Sequence, residues 1–111
     1  MTKTLPDRLK REKDFNLVFK NGKRLYSDSL TLLYYPANQI KVGFVVSKKH
    51  GISVKRNKIK RLLRESFRSF VPKIHKNFFF VLLPKISSDY SFDIFSKDLG
   101  YLLKKGDFLD A

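Results

Sequence analysis

The chain has 111 residues, and 24 Lys and Arg against 10 Asp and Glu leave a formal charge of +14. That length is one domain, and 42% hydrophobic with 14% aromatic residues is enough for a core, which excludes a wholly disordered basic tail. No cysteine is present, so disulfides, thiolate zinc sites and a Cys nucleophile are excluded, and two isolated histidines, His50 and His75, cannot complete a His-rich metal cage.

Residues 1–11 are polar and basic, with Pro6 early, and are predicted to form an extended arm. Asp14 is placed to cap a short helix through Phe15, Leu17, Val18 and Phe19, and Asn21-Gly22 supplies a left-handed stop. Ser29 to Tyr35 and Lys41 to Lys48 are rich in β-favouring residues. The segment Pro36-Ala37-Asn38-Gln39 between them has hairpin length, so the two are predicted to pair antiparallel. Gly43 marks a bulge or a close backbone approach.

After Gly51 the apolar period becomes helical, with Ile59, Leu62, Leu63, Phe67 and Phe70 on one arc; Ser53 is a candidate cap and Pro72 ends the helix. Asn77 to Leu83 reads as a strand buried on both faces. Ser91 to Lys105 reads as a final helix with Phe92, Phe95, Leu99, Leu102 and Leu103 inward, against which Gly100 counts. The fold class is α+β, a single domain over residues 1–111 built as an α-β-β-α-β-α sandwich. The longest apolar run, Phe78 to Leu83, is too short to span a bilayer, and the N-terminal stretch is charged rather than built as a signal peptide. The expected setting is therefore cytoplasmic, with no membrane partner.

The charge is concentrated. Residues 41–76 hold 12 Lys and Arg and one acid, Glu65, whereas residues 77–111 hold 4 cations and 5 acids. A single-sign field of this density calls for a polyanion, and nucleic acid, whose released counterions drive association, is the common one. On a helical wheel Asn57, Lys60, Arg61, Arg64 and Arg68 fall within a roughly 100° arc opposite the apolar stripe. Lys55, Arg56 and Lys58 flank that arc, and Lys48 and Lys49 precede it. Arg grips a phosphate through a planar fork and Lys acts as a point charge. Asn57, a mediocre helix former, has a task there only beside a phosphate, water or ribose.

Aromatics interleave with these cations. Phe15 and Phe19, four apart, share a helix face, and Tyr34 and Tyr35 point to opposite sides of a strand. Unpaired nucleotides are commonly held by stacking on such rings beside cations. No paired carboxylates, Ser/His/Asp spacing or phosphate loop is present, so no catalytic residue and no metal ligand is assigned to the protein.

The run Val42 to Arg68, VGFVVSKKHGISVKRNKIKRLLRESFR, closely resembles the signature of the bacterial ribonuclease P protein subunit, with Arg56-Asn57-Lys58 in place of that family's Arg-Asn-Arg. The resemblance extends over nearly the whole chain, including Asp14, Phe15, Val18 and Phe19 followed by Gly22. It implies a non-catalytic subunit that binds a large catalytic RNA and the 5′ leader of precursor tRNA. The assembly then removes the leader in a Mg²⁺-dependent cut, with no cofactor on the protein alone and no obligate protein partner. It further implies that Arg56, Asn57, Lys58, Lys60, Arg61 and Arg64 meet RNA, that Phe15 and Phe19 line a leader cleft, and that a left-handed β-α-β crossover surrounds the basic helix. Lys58 stands where the family has its second Arg, keeping the charge and losing the fork. For a strand aromatic in the cleft, register leaves Leu33 and Tyr34 open, with Tyr34 taken as the candidate. Two rivals stand beside this reading: a stand-alone RNA-binding module of ribosomal-protein type, and a protein nuclease in which Asp14, Asp28 and Glu65 converge on a metal.

Overall fold

The structure, a computed structural model, describes residues 6–87 and 89–109. In chain order the elements are β1 (Asp7–Arg8), α1 (Glu12–Asn21), β2 (Lys23–Tyr26), β3 (Leu30–Pro36), β4 (Lys41–Phe44), α2 (Ser53–Phe70), β5 (Phe78–Pro84) and α3 (Phe92–Lys105). The strands form one mixed sheet in the order β1-β4-β5-β3-β2. Parallel pairing joins β4 to β1 and β5, and antiparallel pairing joins β3 to β2 and β5.

The Phe78–Leu83 run explains this order. A strand apolar at every position must be covered on both faces, so β5 takes the centre. Its even residues, Phe80 and Leu82, join Leu30, Leu32, Ile59, Leu63, Phe67, Phe95, Leu99 and Leu102 in the larger core beneath α2 and α3. Its odd residue Val81 joins Leu9, Val18 and Leu33 in a smaller core beneath α1. The result is α+β in three layers, with α2 linking the adjacent parallel strands β4 and β5.

The predicted hairpin between residues 29–35 and 41–48 is not formed. β5 lies between β3 and β4, and the connection passes over its start, where the Ala37 N–H donates to the Asn77 carbonyl at 3.1 Å. Two strand spacings are about 9.6 Å, a gap that four residues bridge as readily as a tight turn. The hairpin that does form joins β2 to β3 through a turn in which the Ser27 N–H donates to the Leu30 carbonyl at 2.9 Å. β2 escaped the sequence reading because it is an edge strand with three of its four residues exposed. β4 is also shorter than expected and stops at Phe44.

Several local readings change as well. Residues 7–8 pair with β4, and Leu9 is buried, so this part of the N-terminal arm is docked; residues 1–5 lie outside the described residues. Helix α1 starts at Glu12 behind Arg11, which places Asp14 in the first turn rather than at the cap. Gly22 is extended (φ −74°, ψ 162°), not left-handed, and its role is steric: a Cβ there would stand 2.4 Å from the Val18 carbonyl oxygen and 2.8 Å from that of Tyr34. Ser53 is the first residue of α2, with Ile52 before it and no side-chain cap. Ser91 does cap α3, accepting from the Ile94 N–H at 3.1 Å. Gly100, which counted against α3, lets it approach α2, since a Cβ would lie 3.1 Å from Phe70 Cζ.

Candidate nucleic-acid interface

Helix α2 is two-faced, as its wheel predicts. Ile59, Leu63, Ser66 and Phe67 are buried, and the Ser66 hydroxyl bonds back to the Leu62 carbonyl at 2.9 Å. On the other side Asn57, Arg61 and Arg68 are exposed, and Lys60 and Arg64 are half-buried beside them. Lys55 and Lys58 are exposed on the opposite flank from Arg56 and Lys60. The first turn contains no acid. Cations there oppose the helix dipole, an arrangement that costs stability unless an anion sits with them.

The loop before α2 is held from inside. His50 is buried, its Nδ1 accepting from the Ser47 N–H at 3.2 Å and its Nε2 lying 2.8 Å from the Pro84 carbonyl, which fixes the tautomer with the proton on Nε2. Gly51 follows at φ 118°, a backbone conformation that L side chains rarely adopt. These contacts pin the turn carrying exposed Lys48 and Lys49 to the end of β5.

Electrostatic strain is concentrated along one flank of α2. Burial, followed by the charges of Arg8, Arg68 and Arg61, holds the Arg64 guanidinium below its ordinary pKa, and Glu65 opposes the shift. Glu65 is itself engaged with Arg68 at 3.3 Å. Arg8 comes from β1, a contribution without any sequence signal because two paired residues carry no period. The Nε of Arg56 is buried with no hydrogen-bond partner. Lys55 lies over the Tyr90 ring, 5.9 Å from its centre, so the loop after β5 also flanks this surface.

The second surface lies between α1 and the sheet. Phe15 and Phe19 share one face of α1, with ring centres 6.5 Å apart and planes 21° from parallel, and both are half-buried against the smaller core. The floor is crossed by a row of Lys41, Phe79 and Tyr35, neighbours on three adjacent strands, with the Lys41 ammonium 6.0 Å from the Phe79 ring centre. Tyr34 is not part of this floor. Its ring packs edge-on against Phe108 at 4.9 Å and Phe78 at 5.8 Å on the α2/α3 side. Strand alternation puts Leu33 under α1, fully buried, and makes Tyr35 the half-exposed aromatic of β3 there. The choice weighed only Leu33 against Tyr34 and so missed Tyr35, Phe79 and Lys41; the signal was the alternation of β3 and β5 taken together.

The Ribonuclease P family profile matches residues 4–107. The chain belongs to the ribonuclease P protein family. It is 36% identical over 83 residues to the ribonuclease P protein component of Finegoldia magna, with 74% of each chain covered. Among solved structures, the RNase P protein from Thermotoga maritima superimposes with a TM-score of 0.80 at 33% identity, over 90% of this chain and 97% of that one. The Staphylococcus aureus RNase P protein, at 24% identity, gives 0.83 over 96% and 100% and shows the shared fold. The function that follows is that of the RNA-binding subunit of ribonuclease P, a tRNA-processing endoribonuclease, and nothing favours the stand-alone module. Among the described residues no three His, Cys, Asp or Glu side chains gather to hold a metal, so Asp14, Asp28 and Glu65 do not form such a group. No helix among them is long and apolar enough to cross a membrane.

Proposed function

We propose that the two surfaces divide the work of a cytoplasmic ribonucleoprotein. The polar face of α2, with Lys48, Lys49, Lys55, Arg56, Asn57, Lys58, Lys60, Arg61, Arg64 and Arg68, binds the ribonuclease P RNA. The cleft of Phe15, Phe19, Tyr35, Phe79 and Lys41 holds the single-stranded 5′ leader of precursor tRNA. The chemistry belongs to the RNA subunit and to the Mg²⁺ bound with it, and the protein contributes binding energy and position. The observation that carries this reading is the pairing of a helix face rich in cations, whose one neighbouring acid, Glu65, is engaged with Arg68, with a separate cleft whose floor is a cation and two rings. Phosphates suit the first surface, and unpaired bases suit the second. Domain organisation follows: one RNA-binding domain with β1 as part of its sheet.

Reconstitution with a bacterial ribonuclease P RNA tests it. The protein should lower the Mg²⁺ concentration needed for leader removal, and the protein without RNA should leave precursor tRNA intact. Cleavage by the protein alone, or an unchanged Mg²⁺ requirement, contradicts the assignment.

A further inference from the structure

The sheet has a notch at one corner. β2 covers β3 only from Thr31 to Tyr34, so Tyr35 and Pro36 have no strand partner on that side among the described residues. A hollow of about 210 Å³ fills the gap, lined by Asn21, Lys23, Tyr34, Tyr35, Pro36 and Phe78. Because it wraps the open end of the sheet, it takes Tyr35 from the α1 side and Tyr34 and Phe78 from the other.

We propose that this notch binds one unpaired nucleotide of the RNA strand lying in the cleft, its base against the Tyr35 ring and its phosphate on Lys23. This rests on the cleft reading above and extends it. Three observations support it. The notch is continuous with the cleft, since Tyr35 belongs to the aromatic row beside Phe79 and also lines the hollow. Its next pair, Pro36 and Phe78, lies one strand residue further on, roughly 3.3 Å along the sheet. Second, the chemistry suits a flat ligand that is apolar on its faces and anionic at its edge. Half-buried Tyr35 offers a ring on the cleft side, Tyr34 and Phe78 close the far side of the sheet end, and Lys23 is the one charged residue of the lining. The Asn21 amide, exposed at the end of α1, both donates and accepts and so can meet a base edge. Third, the size suits one ring system, because the hollow is smaller than the roughly 300 Å³ at which pockets for drug-sized ligands begin. The Tyr34 ring is held edge-on by Phe78 and Phe108, so this wall is rigid before any ligand arrives.

The test uses holoenzyme and precursor tRNAs whose leaders are shortened one nucleotide at a time. Affinity should rise stepwise with leader length, and the final step should be lost in Lys23→Glu and in Asn21→Ala, both exposed positions whose replacement leaves the core intact. Stacking on aromatic side chains makes that step about fivefold or more. A 2-aminopurine at the corresponding leader position should be quenched in the wild type and bright in Lys23→Glu. Phe19→Ala should instead remove an earlier step. If Lys23→Glu matches the wild type at every length, or weakens mature and precursor tRNA equally, the notch is not a nucleotide site while the cleft reading stands. If Phe19→Ala shows no precursor-specific loss, the cleft reading fails and the notch proposal fails with it.

Discussion

The ring of Phe15 lies against the backbone of Gly43: a Cβ at position 43 would stand 2.6 Å from Phe15 Cε1 and 2.8 Å from Cζ. Gly43 is absent from the residues with positive φ, so its value is space rather than conformational freedom. The closeness that the glycine in β4 signalled is an approach of α1 to the sheet, and it sets the height of the cleft. Gly43→Ala must lift the ring. We expect overpacking to destabilise the protein by ~1–3 kcal/mol and to weaken holoenzyme binding of precursor tRNA more than mature tRNA. Thermal melts and paired binding curves check this, and a variant unchanged in both would show that Phe15 is placed by other contacts.

The two faces of α2 predict opposite phenotypes. Arg61 is exposed, whereas Leu63 is fully buried. Arg61→Ala should weaken binding to the RNA subunit with little change in melting temperature. Leu63→Ala should cost ~2–5 kcal/mol of stability and, below its melting temperature, bind RNA nearly as well as the wild type. Equal losses of stability in both variants contradict the two-faced helix.

Arg8 and Arg64 repel one another in the free protein, and among the described residues the acid that acts on Arg64, Glu65, is already engaged by Arg68. Removing Arg8 relieves that repulsion and also takes away a cation beside the proposed RNA-binding face. Arg8→Ala should therefore leave melting temperature at low ionic strength unchanged or raised, while affinity for the RNA subunit falls. A drop in both quantities would mean that the β1 side chain stabilises the fold rather than the complex.

Salt should act strongly on assembly. If about six cations of α2 and its preceding loop each neutralise one phosphate, log K falls by ~4 to 5 per decade of monovalent salt, at roughly 0.7 to 0.9 per contact. Titrating assembly with the RNA subunit between low and physiological salt gives the slope, and a value near one contradicts this interface.

The difference between what the sequence discloses and what it conceals follows the range of each interaction. Helix α2 was legible because Ile59, Leu63 and Phe67 recur at helical spacing and the cations recur opposite them, both within one element. The central position of β5 was half legible: its unbroken apolar run demanded burial on both faces, yet nothing local said that it would separate β3 from β4. β1 and β2 are short or exposed edges held by pairing with distant residues, so their own composition carries almost no signal. The same reason hid half of the cleft. Phe15 and Phe19 share a helix and could be found together, whereas Tyr35, Phe79 and Lys41 become neighbours only through the register of three strands. Arg8 reaches Arg64 only because β1 docks on β4.

The central claim is that the cleft under α1 recognises a leader that mature tRNA lacks, and Phe19 tests it most directly because its ring is half-buried against the smaller core rather than sealed within it. The measurement is the affinity of holoenzyme carrying Phe19→Ala for precursor and for mature tRNA. A lost stack should weaken precursor binding by ~1–3 kcal/mol and leave mature tRNA unaffected. A packing role for Phe19 predicts a lower melting temperature and a parallel loss for both RNAs, and an equal change for precursor and mature tRNA would falsify the leader-cleft assignment.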